Sequence, residues 1–131
     1  MAVLVVASCG RAGDPTLPQP EKVYRDAFET PLEAMQIEAH GGTIVGSYDA
    51  WLRLRPSGSV VARMEADYRP VDCAPARLYF ERKLALDGLS LEGSSLSCRE
   101  YSNERLPFEN GRWLVKDQLD GRVYYRIWKF R

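Results

Sequence analysis

The second half of the chain alternates. From residue 47, Tyr48, Ala50, Leu52 and Leu54 interleave with Asp49, Trp51, Arg53 and Arg55, the period of a half-buried strand. Pro56-Ser57-Gly58 reads as a tight turn. The pattern then predicts a return strand over 59–68, with Val60, Ala62, Met64 and Ala66 inward and Arg63, Glu65 and Asp67 outward. Residues 69–76 hold two prolines and Cys73 and read as a loop. A long strand is expected over 77–86, a hairpin turn at Asp87-Gly88 and a return over 89–92. Gly93-Ser94-Ser95 interrupts that return before 96–101 resumes it. Residues 102–107 are polar. Glu109-Asn110-Gly111 and Asp120-Gly121 mark two more turns, which flank a short strand over 112–117. The last strand, 123–130, carries aromatics on both faces.

The first half reads differently. In 21–28, Val23, Tyr24, Ala27 and Phe28 fall on one helical face, which packs a Tyr and a Phe onto the sheet. Thr30-Pro31-Leu32-Glu33 is a capping-box pattern with Pro at the first helical position, for a second helix ending at Gly41-Gly42. Met35, Ile37 and Ala39 alternate as in a strand, so 31–40 stays open between helix and strand. The expected fold class is mainly β: an antiparallel meander of about six or seven strands, forming a curved sheet or small barrel, with one or two short N-terminal helices. This order of elements is loosely similar to small lipocalin-like domains, although no motif of that family is present.

The N-terminus changes where this domain is expected to live. Val3 to Ala7 is apolar and runs into Ser8, Cys9 and Gly10, without the basic residues that open a secretory signal. Val6-Ala7-Ser8-Cys9 resembles the lipobox of bacterial lipoproteins. The resemblance implies diacylglyceryl transfer to the Cys9 sulfur, cleavage before Cys9 and a palmitate-type acylation of the new terminus. It also implies a lipid-anchored, periplasm-facing protein of the cell envelope. Gly10 stands where enterobacterial lipoproteins kept at the inner membrane carry Asp, so the outer membrane is favoured over the inner. Gly10, Gly13, Pro15, Pro18 and Pro20 make the following stretch an extended tether. The domain reading is therefore 1–8 truncated signal segment, 9–20 flexible tether and 21–131 a single β-rich domain. A true start upstream of Met1 is the expectation, because the apolar run is far shorter than the roughly 20 residues that span a bilayer.

The chain has three cysteines. With Cys9 carrying lipid, Cys73 and Cys98 remain, and an oxidising periplasm favours pairing them. The bridge would contribute about 3 kcal/mol on the chain-entropy account. Neither stands in a metal-like spacing.

Charge and motifs narrow the function. Lys+Arg and Asp+Glu balance at 18 each, so no overall charge pulls the chain toward nucleic acid or acidic substrates. His40 is the only histidine, which excludes His-pair metal sites, and it reads as a helix-end residue. No G-x-S-x-G, P-loop, dinucleotide fingerprint or H-E-x-x-H occurs, so no catalytic residue, cofactor or metal is assigned. The acid pairs Asp117/Asp120 and Glu100/Glu104 flank turns and read as solvated loop charges.

The candidate binding surface is a mixture of bases and rings, read as a strip for an acidic partner or headgroups: Trp51, Arg53, Arg55, Arg122, Tyr124, Arg126 and Trp128. It matters only if the two segments are adjacent. The competing view is that 122–131 is an ordinary amphipathic strand, and that Trp51 belongs to a smaller second core. The expected function is a membrane-anchored, non-enzymatic protein-binding module of inhibitor or immunity type, with an envelope protein as partner. One alternative is a lipid- or small-ligand-binding barrel with a cavity lined by Tyr79, Leu84 and Tyr125. The other is a soluble globular domain without an anchor.

Overall fold

The computed structural model describes residues 17–28, 35–56, 58–91, 95–102 and 110–130. Cys9, most of the tether, the capping box at Thr30-Pro31-Leu32-Glu33, Gly93-Ser94, the polar run over 103–107 and the Phe28 side chain lie outside the described residues. In chain order the elements are α1 (Pro20–Phe28), β1 (Met35–Thr43), β2 (Tyr48–Pro56), α2 (Gly58–Glu65), β3 (Arg69–Pro70), α3 (Ala74–Leu86), β4 (Leu96–Ser102), β5 (Asn110–Asp117) and β6 (Val123–Lys129).

The six strands form one antiparallel sheet in the order β1-β2-β6-β5-β4-β3. β4, β5 and β6 run as a consecutive meander, and the β1–β2 hairpin joins it by pairing β2 with β6. The sheet is open, with β1 and β3 at its edges. The competition over 35–40 resolves to a strand.

Two expected strands are helices. Over 59–68 the alternation is an accident of Ala, Met, Arg and Glu, all good helix formers. Among the described side chains those that bury are Val61 and Tyr68, seven residues apart, while Ala62 and Ala66 face solvent; the Val60 and Met64 side chains lie outside the described residues. Over 77–86 the controlling spacing is Ala76, Phe80 and Leu84, one residue per helical turn. Pro75 opens α3, and the Asp72 carboxylate accepts the Ala74 N–H at 3.1 Å.

Asp87-Gly88 does reverse the chain, but as a helix stop. Gly88 has φ +71°, its N–H reaches Ala85 O at 3.1 Å, and the Leu89 N–H reaches Leu84 O at 2.9 Å. That is the Schellman pattern, sealed by Leu84 and Leu89 in one apolar cluster. Residues 89–91 form no strand.

These helices give the sheet two covered faces. On one, α1 and α2 bring Val23, Tyr24 and Val61 over Ala50, Leu52, Leu54, Leu114 and Tyr125. On the other, α3 brings Ala76, Phe80 and Leu84 over Trp51, Cys98, Val115 and Tyr124. Leu84 and Tyr125, expected to line one barrel cavity, are fully buried on opposite faces of an open sheet. Cys73, at the start of α3, and Cys98, in β4, stand at disulfide distance, with Cα atoms 5.3 Å apart. The pair clamps α3 to the meander.

Candidate functional site

The register of the sheet brings the two basic-aromatic segments together. β2 pairs with β6 so that Asp49 faces Trp128, Trp51 faces Arg126 and Arg53 faces Tyr124. Opposite residues of an antiparallel pair share a face, so all six point toward the α3 side. Adjacency, however, produces an interior. Trp51, Tyr124 and Trp128 are buried beneath or beside α3 and belong to no exposed strip. Trp51 takes its place in the second core, and its indole lies directly over Gly41, where an added Cβ would meet Nε1 at 2.6 Å. Trp128 lies the same way over Gly111, also at 2.6 Å. In both cross-strand pairs glycine leaves the room that the indole fills.

The arginines of the strip are neutralised within the molecule. Arg126 donates Nε and Nη2 to the two oxygens of Asp49, at 2.9 and 2.8 Å. The Tyr79 hydroxyl donates to the same carboxylate at 3.0 Å. Three rings surround the guanidinium: Tyr79 at 4.0 Å, Trp128 at 4.5 Å and Trp113 at 4.9 Å. The Trp113 indole in turn donates to Glu100 at 3.1 Å. Burial, followed by the Asp49 charge, pushes the Tyr79 hydroxyl far above its ordinary range, so it remains a phenol and a donor.

The other three arginines converge on one acid. The β1–β2 register shifts between Ile37 and Ala39, and Glu38 is the extra residue. Arg122 Nε reaches its carboxylate at 2.8 Å, Arg55 Nε at 2.9 Å, and Arg53 Nη1 lies at 3.9 Å. Arg122 also holds Asp120 at 2.8 Å. Burial favours the neutral acid, yet the hydrogen bonds from Arg122 and Arg55 outweigh it and hold Glu38 below its ordinary 4.5.

Because the folded value is the lower one, this stabilisation is complete above the unfolded value of 4.5 and is lost as pH falls through the folded value. Glu38→Gln is therefore expected to cost about 2 kcal/mol at pH 7 and less at an acidic pH below 4.5. Urea denaturation at the two pH values checks this; an equal loss at both would contradict it.

His40 stands exposed on the edge strand β1, so the helix-end role expected for it disappears with that helix. Asp117 is a buried carboxylate, not a solvated one, and caps its own turn by accepting the Leu119 N–H at 2.9 Å. Asp120 pairs with Arg122, Glu100 with Arg69 and Trp113, and Glu104 lies outside the described residues. No group of three or more metal-ligating side chains occurs among the described residues.

What the sequence reading missed lies on the outer side of α3. Leu78, Arg82 and Leu86 recur every fourth residue on its exposed stripe, and Leu78 and Leu86 are 51% and 83% exposed. Beside them a groove of about 520 Å³ opens between α3 and the sheet, floored by Tyr79, Trp113 and Arg126. The helical spacing was present in the sequence, but it is invisible once the segment is read as a strand.

No family model matches the chain, and comparison with curated proteins and solved structures gives no match either. No helix among the described residues is long and apolar enough to cross a membrane.

Proposed function

We propose that this chain is a lipid-anchored protein of the cell envelope, acylated on Cys9 and facing the periplasm, with the outer membrane favoured. Its domain is a non-enzymatic binding module for an envelope protein, of the inhibitor or immunity type. The observation that carries the binding reading is the groove beside α3. Leu78 and Leu86 stand exposed there beside Tyr79, Trp113, Arg82 and Arg126, and tyrosine, tryptophan and arginine are the residue types enriched where protein interfaces gain most of their energy. The anchoring reading draws on the cysteines. Cys73 and Cys98 stand at disulfide distance, which leaves Cys9 as the odd thiol within Val6-Ala7-Ser8-Cys9. A bridge between Cys73 and Cys98 suits an oxidising compartment.

The ligand-barrel alternative has less support, because side chains fill both faces of the sheet. The binding module predicts that tagged full-length chain, extracted from envelope in mild detergent, retains one envelope protein in near-stoichiometric amount. Recovery of the chain alone from extracts of every growth phase would contradict it.

A further inference from the structure

We propose that the groove beside α3 docks an acidic segment of the partner protein. The segment packs apolar side chains against Leu78 and Leu86 and sets a carboxylate between them, against Arg82 and Lys83. This rests on the binding-module reading above and gives the partner its chemistry.

Charge complementarity identifies the occupant. The chain as a whole is neutral, with 18 bases and 18 acids. The groove is not: with Arg126 already paired to Asp49, its lining still carries Arg82 and Lys83 and, among the described residues, no acidic side chain. Elsewhere on this face the arginines meet carboxylates, Arg126 at Asp49 and Arg55 and Arg122 at Glu38. Arg82 has no hydrogen bond or ion pair among the described residues, and the Lys83 ammonium lies 5.4 Å over the Tyr79 ring, not against an acid. Two cations that meet no carboxylate among the described residues, set beside exposed leucines, favour a partner that supplies carboxylates, and such pairs set both encounter rate and specificity.

Shape separates a protein segment from a lipid surface. A bilayer is broad and flat, whereas this site is a concavity of about 520 Å³ with ring faces and a guanidinium at its floor. Arg126 spends Nε and Nη2 on Asp49, which leaves Nη1 outside that pair. A protruding side chain can enter such a site and a headgroup plane cannot follow it.

The test uses the full chain in its native membranes, with photoreactive benzoylphenylalanine in place of Leu86. The same probe in place of Val45, 65% exposed on the β1–β2 turn, is the surface control. The expected result is a protein adduct from position 86 whose cross-linked peptide carries Asp or Glu beside an apolar residue. Arg82→Glu should lower its yield about tenfold, and Arg63→Glu, exposed on α2, should leave it unchanged. If Arg82→Glu melts lower than the parent, Arg82→Gln, which keeps length and removes charge, carries the test with a smaller loss. An adduct to phospholipid, to a second copy of the chain or to a peptide without acids would overturn the proposal. So would no adduct at position 86, or a yield indifferent to Arg82. A protein adduct at position 45 alone refutes the groove and keeps the binding module; no protein adduct at either position, with nothing co-purifying, refutes both.

Discussion

Asp49→Ala is expected to cost about 3–5 kcal/mol, the usual loss when one member of a buried ion pair is removed. Asp49 and Arg126 keep only 16% and 13% of their side-chain surface, so the guanidinium left behind stays largely out of water. The Tyr79 hydroxyl loses its acceptor at the same time. In a domain this size the melting temperature should fall by roughly 10–20 °C. The companion double variant, Asp49→Leu with Arg126→Met, removes both charges and keeps the volume under Tyr79, Trp113 and Trp128. It should recover most of the loss, because no charge is then buried unpaired. Thermal melting by circular dichroism reads both. A double variant as unstable as the single one would mean that the ion pair is not what Asp49 contributes.

The second large effect is expected at the cysteines. Cys73→Ala with Cys98→Ala, or reduction of the parent, should cost about 3 kcal/mol, chiefly because the unfolded chain loses a closed loop of 25-residue separation. The loop contains all of α3, so the loss should appear first as detachment of that helix, with Phe80 and Leu84, from Trp51, Val115 and Tyr124 of the sheet. Hydrogen exchange should show the Ala74–Leu86 amides losing protection before those of β5 and β6. Alkylation should label Cys73 and Cys98 only after reduction. Two reactive thiols in protein taken from the envelope, or an unchanged melting temperature, would contradict the bridge.

How far these features were readable depends on how many sheet faces are covered. β2 announces itself because Ala50, Leu52 and Leu54 bury against α1 and α2 at period two. The same strand hides its other side. Asp49, Trp51 and Arg53 look like a solvated face, since alternation of polar and apolar residues implies one wet side. α3 covers that side instead, and buried ion pairs satisfy the charges. α2 and α3 are hidden in the sequence for a related reason. Short runs such as Val60, Ala62, Met64 fit period two by chance, whereas Ala76, Phe80 and Leu84 fit a helix and carry the burial. Pro75 before that run and Asp87-Gly88-Leu89 after it are start and stop signals for a helix, and together they outweigh the alternation. The Glu38 bulge is legible only in the register, because one extra residue leaves no compositional trace.

The groove is hidden for both reasons. Its leucines are exposed because α3 turns Leu78 and Leu86 outward, and its floor exists because the sheet brings Trp113 beside Arg126. Neither fact is local in sequence. Cys9 is the opposite case, a motif that four adjacent residues carry entirely.

Everything proposed about where this domain acts depends on that cysteine. The direct measurement is the mass of the N-terminal peptide from chain extracted out of membranes. The account predicts a peptide beginning at Cys9, with a diacylglyceryl group on sulfur and an acyl chain on nitrogen. An unmodified peptide that still runs through Met1 and Cys9, recovered in the soluble fraction, would contradict it.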